Sequence, residues 1–268
     1  MSNAVVATEQ GHWYCAKTGE PRYTITGKNG KERNTTLADA RKLGFVPSVT
    51  TITKMLPAPG LVKWKAAQVL LSAFTMPVQP GHDYAKWCEA VEVEAAQKAK
   101  DAAQRGTELH GDIERWLQGA PHGSMAAIQN IYAAMEPVGI DLHAGRSECS
   151  FAHEDGYGGK VDWHSLAAVV DFKTKDKIEE GKRLAWDEHH CQLAAYAHGL
   201  GLVAPRCLNV FVGVNDGKVV VVEHKPVEIA RGLRLFKCCL ALWQEVNQWH
   251  GQGVTVADDI TNQTGGRL

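Results

Sequence analysis

The chain has 268 residues, of which 44% are hydrophobic and 22% are charged, and its formal net charge is −1. This length and composition are typical of one large globular domain and exclude a disordered or fibrous chain. The near-neutral charge excludes a strongly basic nucleic-acid-binding domain, and no stretch approaches the roughly 18 apolar residues of a membrane helix.

The first part of the chain, residues 1–60, predicts short β-strands, turns and two short helices. A strand over 22–26 is followed by a turn at 27–30, and a helix over 36–43 ends at Gly44. Ser48 before Val49-Thr50-Thr51-Ile52 predicts a second helix with Ser48 as its N-cap. Residues 1–10 lack the features of a signal peptide, so we expect a cytoplasmic location and no membrane partner.

Residues 61–140 predict a helical clamp. One helix begins near Leu61, and the longest helical stretch covers 83–118, where Gly106 could divide it into two helices. A shorter helix covers 125–135 and is stopped by Pro137.

Residues 141–250 predict a core of strands and helices, and residues 251–268 predict a flexible tail of the same single domain. The expected strands are 143–153, 158–165, 166–173, 207–214 and 218–224, and the expected helices are 185–202 and 227–250. The last two strands form a hairpin through Asn215-Asp216-Gly217. This order predicts an α/β (α+β) fold with a mixed central sheet flanked by helices.

The segments that carry chemistry are the ends of two neighbouring strands. Side chains alternate along a strand, so Asp171 and Lys173 share one face, and pairing could bring Asp162 beside Asp171. Two converging carboxylates repel each other but suit a hard cation such as Mg²⁺. The alternative is a solvated strand end with a surface salt bridge, since the tripeptide Asp-x-Lys is common.

Asp162, then Asp171-Phe172-Lys173, then Gln192 and Tyr196 on one helix face resemble the PD-(D/E)XK nuclease superfamily in its RecB-type exonuclease branch. Gly106-Thr107-Glu108-Leu109-His110 is similar to the Gly-Thr-x-x-His helix of that branch, and Glu148 matches an acidic position near the metals. The segment 47–52 resembles a Ser-Val-Thr-Thr segment of mitochondrial genome maintenance exonucleases and related phage nucleases.

The resemblance implies a restriction-endonuclease-like core and a division of roles. The implied catalytic residues are Asp162, Asp171, Lys173 and Gln192; the implied metal ligands are His110, Glu148, Asp162, Asp171 and the Phe172 carbonyl; the expected substrate contacts are Tyr196, Ser48, Thr50, Thr51, Trp64 and Lys175. Mg²⁺ or Mn²⁺ is the expected cofactor. No iron–sulfur cluster is expected, because Cys207, Cys238 and Cys239 lack the spacing that some relatives use. Val161 departs from the proline of the family name.

The expected function is therefore a metal-dependent DNA exonuclease that acts on single strands or DNA ends in repair, recombination or phage DNA processing. A structure-specific or restriction-type endonuclease uses the same metal site and remains an alternative. A nuclease-like DNA-binding protein without catalysis is a second alternative, although decayed sites usually lose one of these residues. The sequence gives no indication of oligomeric state or of cleavage polarity.

Overall fold

A computed structural model describes residues 12–78, 81, 83–121 and 123–249. The expected tail at 251–268 lies outside these residues. Nine strands occur in the described part of the chain: β1 (Trp13–Cys15), β2 (Thr24–Thr26), β3 (Glu32–Asn34), β4 (Phe45–Pro47), β5 (Arg146–His153), β6 (Tyr157–His164), β7 (Ala168–Lys175), β8 (Arg206–Gly213) and β9 (Val219–His224). The α-helices described are α1 (Leu37–Leu43), α2 (Val49–Thr53), α3 (Pro59–Thr75), α4 (Tyr84–Leu117), α5 (Met125–Met135), α6 (Asp187–Gly199) and α7 (Pro226–Val246).

The central sheet is mixed and has the strand order β5-β6-β7-β8-β9. β7 and β8 are parallel, and the other neighbours are antiparallel. Two small antiparallel sheets, β1-β4 and β2-β3, lie in the N-terminal part. The expectation of a mixed sheet with flanking helices is confirmed, as is the β8–β9 hairpin at the Asp-Gly turn.

Helices cover both faces of the sheet, because the buried strands alternate their side chains between two apolar layers. Val169 of β7 packs with residues of α2, α6 and α7, while Val170 packs with residues of α4 and α5. The second layer includes Ile131 of α5, so this helix, although within the range expected for the clamp, packs on the sheet.

The clamp is thus formed by α3, which packs chiefly on α4, and by the first half of α4. The expected break at Gly106 is wrong: α4 is one continuous helix of 34 residues. Gly106 lies against Thr174 of β7, where an added Cβ would be 2.6 Å from the Thr174 Oγ1. The missing side chain of Gly106 therefore lets α4 pack closely on β7, and the helix continues past this residue.

The short N-terminal helices follow their capping signals. Thr36 and Asp39 form a reciprocal capping box at the start of α1, and Gly44 ends that helix in the left-handed conformation. Ser48 caps α2 by accepting a hydrogen bond from the Thr51 N–H. None of the helices in the described ranges is both long and apolar enough to cross a membrane.

Candidate metal centre

The centre begins where β6 and β7 separate. The two strands pair only at Trp163–Val170 and His164–Val169. Beyond these pairs, the Phe172 N–H donates to the Asp162 Oδ2 at 2.7 Å instead of to the β6 backbone. The N–H and C=O of one strand residue point to the same side, so the Phe172 carbonyl also faces β6, as a metal ligand at this position requires.

Glu148 of β5 lies opposite Asp162 in a distorted part of the sheet. Its φ is 55°, a left-handed value that is strained for a residue other than glycine. The Glu148 carboxylate is buried; its Oε2 is in direct contact with the Lys160 ammonium, and its Oε1 has no hydrogen-bond partner. Burial raises the pKa of Glu148, and Lys160 opposes that effect. A buried carboxylate oxygen without a partner is chemically suited to a cation.

His110 reaches the same place from α4. Its Nε2 is 3.6 Å from the Asp162 Oδ1, and this neighbouring carboxylate raises the pKa of His110. A ring nitrogen of His110 and carboxylate oxygens of Glu148 and Asp162 all lie within 4.8 Å of one another. Three residues that are 14 or more positions apart in the sequence therefore form one group that could hold a metal ion.

Asp171 borders this group and has protein partners of its own. The Lys173 Nζ is 2.8 Å from its Oδ1 and 2.7 Å from its Oδ2, and the Asn209 amide donates to Oδ2 at 2.6 Å. Asp171 is only 1% exposed, so the alternative of a solvated surface salt bridge is wrong. A metal that also bound Asp171 would have to share its oxygens with Lys173 and Asn209.

The two aspartates have opposite pKa shifts. Burial raises the pKa of Asp171, and the charge of Asp162 adds to the rise despite the attraction of Lys173. Burial also disfavours charge on Asp162, but the His110 contact, Lys173 and the Phe172 N–H outweigh it and lower the pKa. Neighbouring groups with diverging pKa values are typical of catalytic sites.

The network continues from Asp171 across two strands. The Asn209 Oδ1 is 2.7 Å from the His224 Nε2, and both residues are buried. Sequence reasoning missed Asn209 and Lys160. A single asparagine in the apolar run Cys207-Leu208-Asn209-Val210-Phe211 was the available signal, because a buried amide needs partners. Lys160 gave no signal, since its role depends on the bent strand at Glu148.

Gln192 and Tyr196 lie on one face of α6, as expected, and the Gln192 amide donates to the Tyr196 hydroxyl at 2.9 Å. Both side chains are buried, and the Tyr196 ring packs edge-on against Phe151. Tyr196 is 4% exposed, so in this conformation it supports Gln192 and does not offer a surface for substrate.

Ser48, Thr50 and Thr51 lie at the start of α2. The Ser48 hydroxyl is 2.9 Å from the Thr50 hydroxyl and 2.8 Å from that of Thr51, and Ser48 is buried. Its backbone bridges to Gly158, two residues before Lys160. Ser48 therefore joins α2 to the sheet, and of these three expected substrate contacts only Thr50 and Thr51 are partly exposed.

An open groove of about 1870 Å³ connects the centre to the helical clamp. His110 lines it, as do Trp64 of α3 and Lys175 at the end of β7. Trp186 and Arg183 line the groove as well, and the guanidinium lies 4.7 Å from the centre of the tryptophan ring. The expected substrate residues Trp64 and Lys175 therefore face the same space as His110.

No family model matches the sequence, and no curated protein matches it. Among solved structures, the crystal structure of SSO0001 is similar over 46% of this chain, with 16% identity and a TM-score of 0.28. The match covers 59% of SSO0001, less than two thirds of its length. A likeness at this level carries no argument, so the function has to be inferred from the chemistry of the site.

Proposed function

We propose that this protein is a metal-dependent DNA exonuclease of the PD-(D/E)XK type. The juxtaposition of Asp162, Asp171 and Lys173 with Glu148 and His110 supports the proposal most strongly. Three carboxylates and a histidine converge beside a lysine in a largely buried place, and the histidine also lines the groove. Lys173 and Asn209 compensate the charge of Asp171, and Lys160 that of Glu148, but carboxylates brought this close still repel one another, and a divalent cation would relieve that repulsion.

The residues fit a hard divalent cation. Asp162, Glu148 and His110 would hold it, with Asp171 and the Phe172 carbonyl as further oxygen ligands. When bound, Mg²⁺ or Mn²⁺ supplies charge neutralisation at the phosphate and lowers the pKa of a coordinated water. The buried Glu148 Oε1, which has no hydrogen-bond partner, is the feature that most favours this occupant.

Lys173 and Asp171 have distinct roles in this proposal. The ammonium is 28% exposed on its side chain while its partner Asp171 is 1% exposed, so Lys173 can reach a substrate and remain anchored. It would donate a hydrogen bond to the attacking water or to a phosphate oxygen and stabilise the developing charge. Gln192, held by Tyr196, would fix the α6 side of the centre.

The groove supports a single strand or a DNA end as substrate. Trp64 and Trp186 offer ring faces on which bases can stack, and such stacking tolerates any sequence. Lys175 and Arg183 line the same groove as these rings and His110, where they can contact phosphates. Aromatic rings together with basic side chains suit an extended single strand better than a rigid duplex, which proteins recognise through its grooves.

The test is digestion, with Mg²⁺ or Mn²⁺, of end-labelled linear single-stranded and double-stranded DNA and of nicked and closed circular DNA. We expect metal-dependent shortening of linear DNA from one end, and a loss of at least about 100-fold in rate for Lys173→Ala and for Asp171→Asn. Lys237→Ala, at an exposed lysine of α7, is the matched control and should cut like the wild type. Cutting of closed circles would favour the endonuclease, and no cutting of any DNA would leave a catalytically silent binding protein.

A further inference from the structure

A second group of potential metal ligands lies at the other end of the polar network. A ring nitrogen of His190, one of His224 and a carboxylate oxygen of Glu228 all lie within 4.8 Å of one another. His190 is on α6, His224 ends β9, and Glu228 is in the first turn of α7. Both histidines are buried, at 6% and 5% exposure, and Glu228 is half-buried, so the group lies at the edge of the protein interior.

The packing of α7 on α6 creates this group. Gly232 of α7 lies against His190, where an added Cβ would be 2.5 Å from the His190 carbonyl oxygen. Glu228 is four residues before Gly232 and therefore lies on the same face of α7. The close approach at the glycine brings the Glu228 carboxylate to the two imidazoles.

His224 has the protonation pattern that metal-binding histidines usually have. Its Nε2 faces the Asn209 Oδ1 at 2.7 Å, while the Asn209 amide donates to Asp171. The Asn209 oxygen can only accept, so Nε2 carries the proton and Nδ1 keeps its lone pair. Metal-bound histidines in proteins almost always donate their second N–H to such an acceptor.

His190 has an unsatisfied nitrogen. Its Nδ1 is buried without a hydrogen bond, and the nearest carboxylate, Asp187, is 3.8 Å away, which is too far for one. Coordination through Nδ1 would satisfy this atom directly. Coordination through Nε2 would make Nδ1–H a donor toward Asp187, the carboxylate–histidine–metal arrangement of many zinc sites.

One carboxylate oxygen of Glu228 accepts a backbone hydrogen bond, which leaves the other as the candidate ligand atom. Its Oε2 accepts from the Lys225 N–H at 2.8 Å and caps α7. This bond fixes the carboxylate within the first turn and lowers the pKa of Glu228. The side chain is thus held as an ionised ligand next to two imidazoles.

We propose that His190, His224 and Glu228 bind a zinc-class divalent ion, Zn²⁺ or Co²⁺, separately from the carboxylate centre. Two imidazoles and one carboxylate form a three-ligand set that suits Zn²⁺ and leaves a position for water, whereas Mg²⁺ prefers oxygen ligands. The ion would fix the tautomer of His224 and, through Asn209, the orientation of Asp171. The site follows from its own residues and is independent of the nuclease proposal.

A third group, His153, Asp155 and His198, provides an internal comparison. Asp155 is exposed, and the His198 Nδ1 is already 2.8 Å from the Tyr157 hydroxyl. Its position outside the core makes it the place where adventitious binding of Zn²⁺ or Co²⁺ is most expected.

The experiment is a titration of the full chain with Co²⁺ in excess Mg²⁺, followed by visible absorption. Four- or five-coordinate Co²⁺ absorbs much more strongly than six-coordinate Co²⁺, so the band reports an imidazole-rich site. We expect one equivalent with a strong band that Zn²⁺ displaces, and at least about tenfold weaker binding in Glu228→Gln and in His190→Gln. Glu228→Gln keeps an oxygen that can accept from the Lys225 N–H, so it removes the charge with little effect on folding.

Two control variants locate the ion. Asp162→Asn in the carboxylate centre and His153→Gln in the third group should both retain the band. A band that survives in Glu228→Gln and His190→Gln, that disappears in Asp162→Asn or His153→Gln, or that is absent from the wild type would overturn the proposal. Circular dichroism of each variant separates loss of the site from loss of the fold.

Discussion

Asp171 shows how much of the centre depends on a few buried polar side chains. A carboxylate that is 1% exposed is costly to keep charged, and here Lys173 and Asn209 both compensate it. Asn209 is itself fully buried and also accepts from His224. Each member of this chain of contacts needs the next, so loss of one leaves its neighbours without partners.

A double-mutant cycle on Asn209 and His224 measures that dependence. Asn209→Leu removes the donor to Asp171 and the acceptor for His224, and each buried group left without a partner costs about 1–3 kcal/mol. His224→Leu in the same background removes one of these groups, so we expect the double variant to be more stable than the sum predicts, by about 0.5–3 kcal/mol. Urea unfolding of the wild type, the two single variants and the double variant gives their free energies of unfolding. If the losses in the two single variants add up to the loss in the double variant, the network is contradicted.

The pKa of His110 makes metal binding depend on pH. The neighbouring Asp162 carboxylate raises the pKa of His110, and an imidazole must lose its proton to bind a metal. Below that raised pKa the metal displaces a proton, so Mn²⁺ affinity should fall by about tenfold per pH unit as the pH decreases. Above the pKa of His110 the imidazole is already neutral, and its protonation no longer affects Mn²⁺ affinity.

Calorimetric titrations with Mn²⁺ between about pH 5.5 and pH 8 test this pH dependence. His110→Gln should bind Mn²⁺ more weakly but with a slope smaller by about one proton, since no imidazole remains to be deprotonated. Parallel slopes for the wild type and His110→Gln would show that His110 is outside the metal shell.

The sequence predicted part of this residue-scale picture. Strand alternation correctly placed Asp171 beside Lys173, and the strand order brought Asp162 to them. The Asn209 and His224 contacts were not predictable, because they depend on the parallel register of β7 and β8 and on a diagonal contact to β9. The role of Lys160 was hidden for another reason, the left-handed conformation of Glu148.

Among the elements, α4 connects the clamp to the centre. Val91 and Leu109 are both buried on it, 18 residues apart, and His110 is one turn after Gly106. The sequence correctly predicted the extent of this helix but not its continuity. Glycine is a weak helix former, yet the contact with β7 requires the absence of a Cβ at this position.

Two glycines of α4 form a matched pair for a test. Gly111→Ala meets only the end of Arg115 at 3.5 Å, so it should stabilise the protein by about 0.5–1 kcal/mol through helix propensity. Gly106→Ala would place its methyl group 2.6 Å from the Thr174 Oγ1. Such overpacking costs about 1–3 kcal/mol and should shift His110, which lowers Mn²⁺ affinity.

The companion variant is Thr174→Ala in the Gly106→Ala background. Removal of the Thr174 hydroxyl removes the clash, so we expect both stability and Mn²⁺ affinity to recover. Thermal unfolding and Mn²⁺ titration of each variant give the comparison. If Gly106→Ala and Gly111→Ala change stability and Mn²⁺ affinity equally, α4 is not in close contact with β7 at Gly106.

For the whole molecule, the charge pattern of the groove determines how DNA would bind. Four basic side chains line it, Lys65, Lys100, Lys175 and Arg183, and so do four acidic ones, Glu92, Asp176, Asp187 and Glu188. The net charge of −1 for the chain agrees with this balance. Stacking on Trp64 and Trp186, more than charge, should therefore hold a single strand.

The salt dependence of binding tests this balance. Each phosphate contact adds about 0.7 to the slope of log Kd against log salt for single strands, so four cations give at most about 3. Lys175→Ala with Arg183→Ala should lower the slope by about 1.4, whereas Trp64→Ala should weaken binding with no change in slope. Fluorescence anisotropy with Ca²⁺ in place of Mg²⁺ gives the affinities, and a slope well above 3 would contradict the expectation.

The contact between Gly106 and Thr174 has a mechanical consequence. A helix rises 1.5 Å per residue, so the Tyr84 end of α4 is about 33 Å from this point and His110 is about 6 Å beyond it on the other side. If α4 pivots there as a stiff lever, the arms differ by a factor of about five. A swing of about 5 Å at the tip, such as a strand entering under α3 would cause, moves the His110 ring by about 1 Å. That distance is larger than the tolerance of a metal–nitrogen bond, so a strand held at the far end of the clamp would change the geometry of the proposed metal centre without touching it.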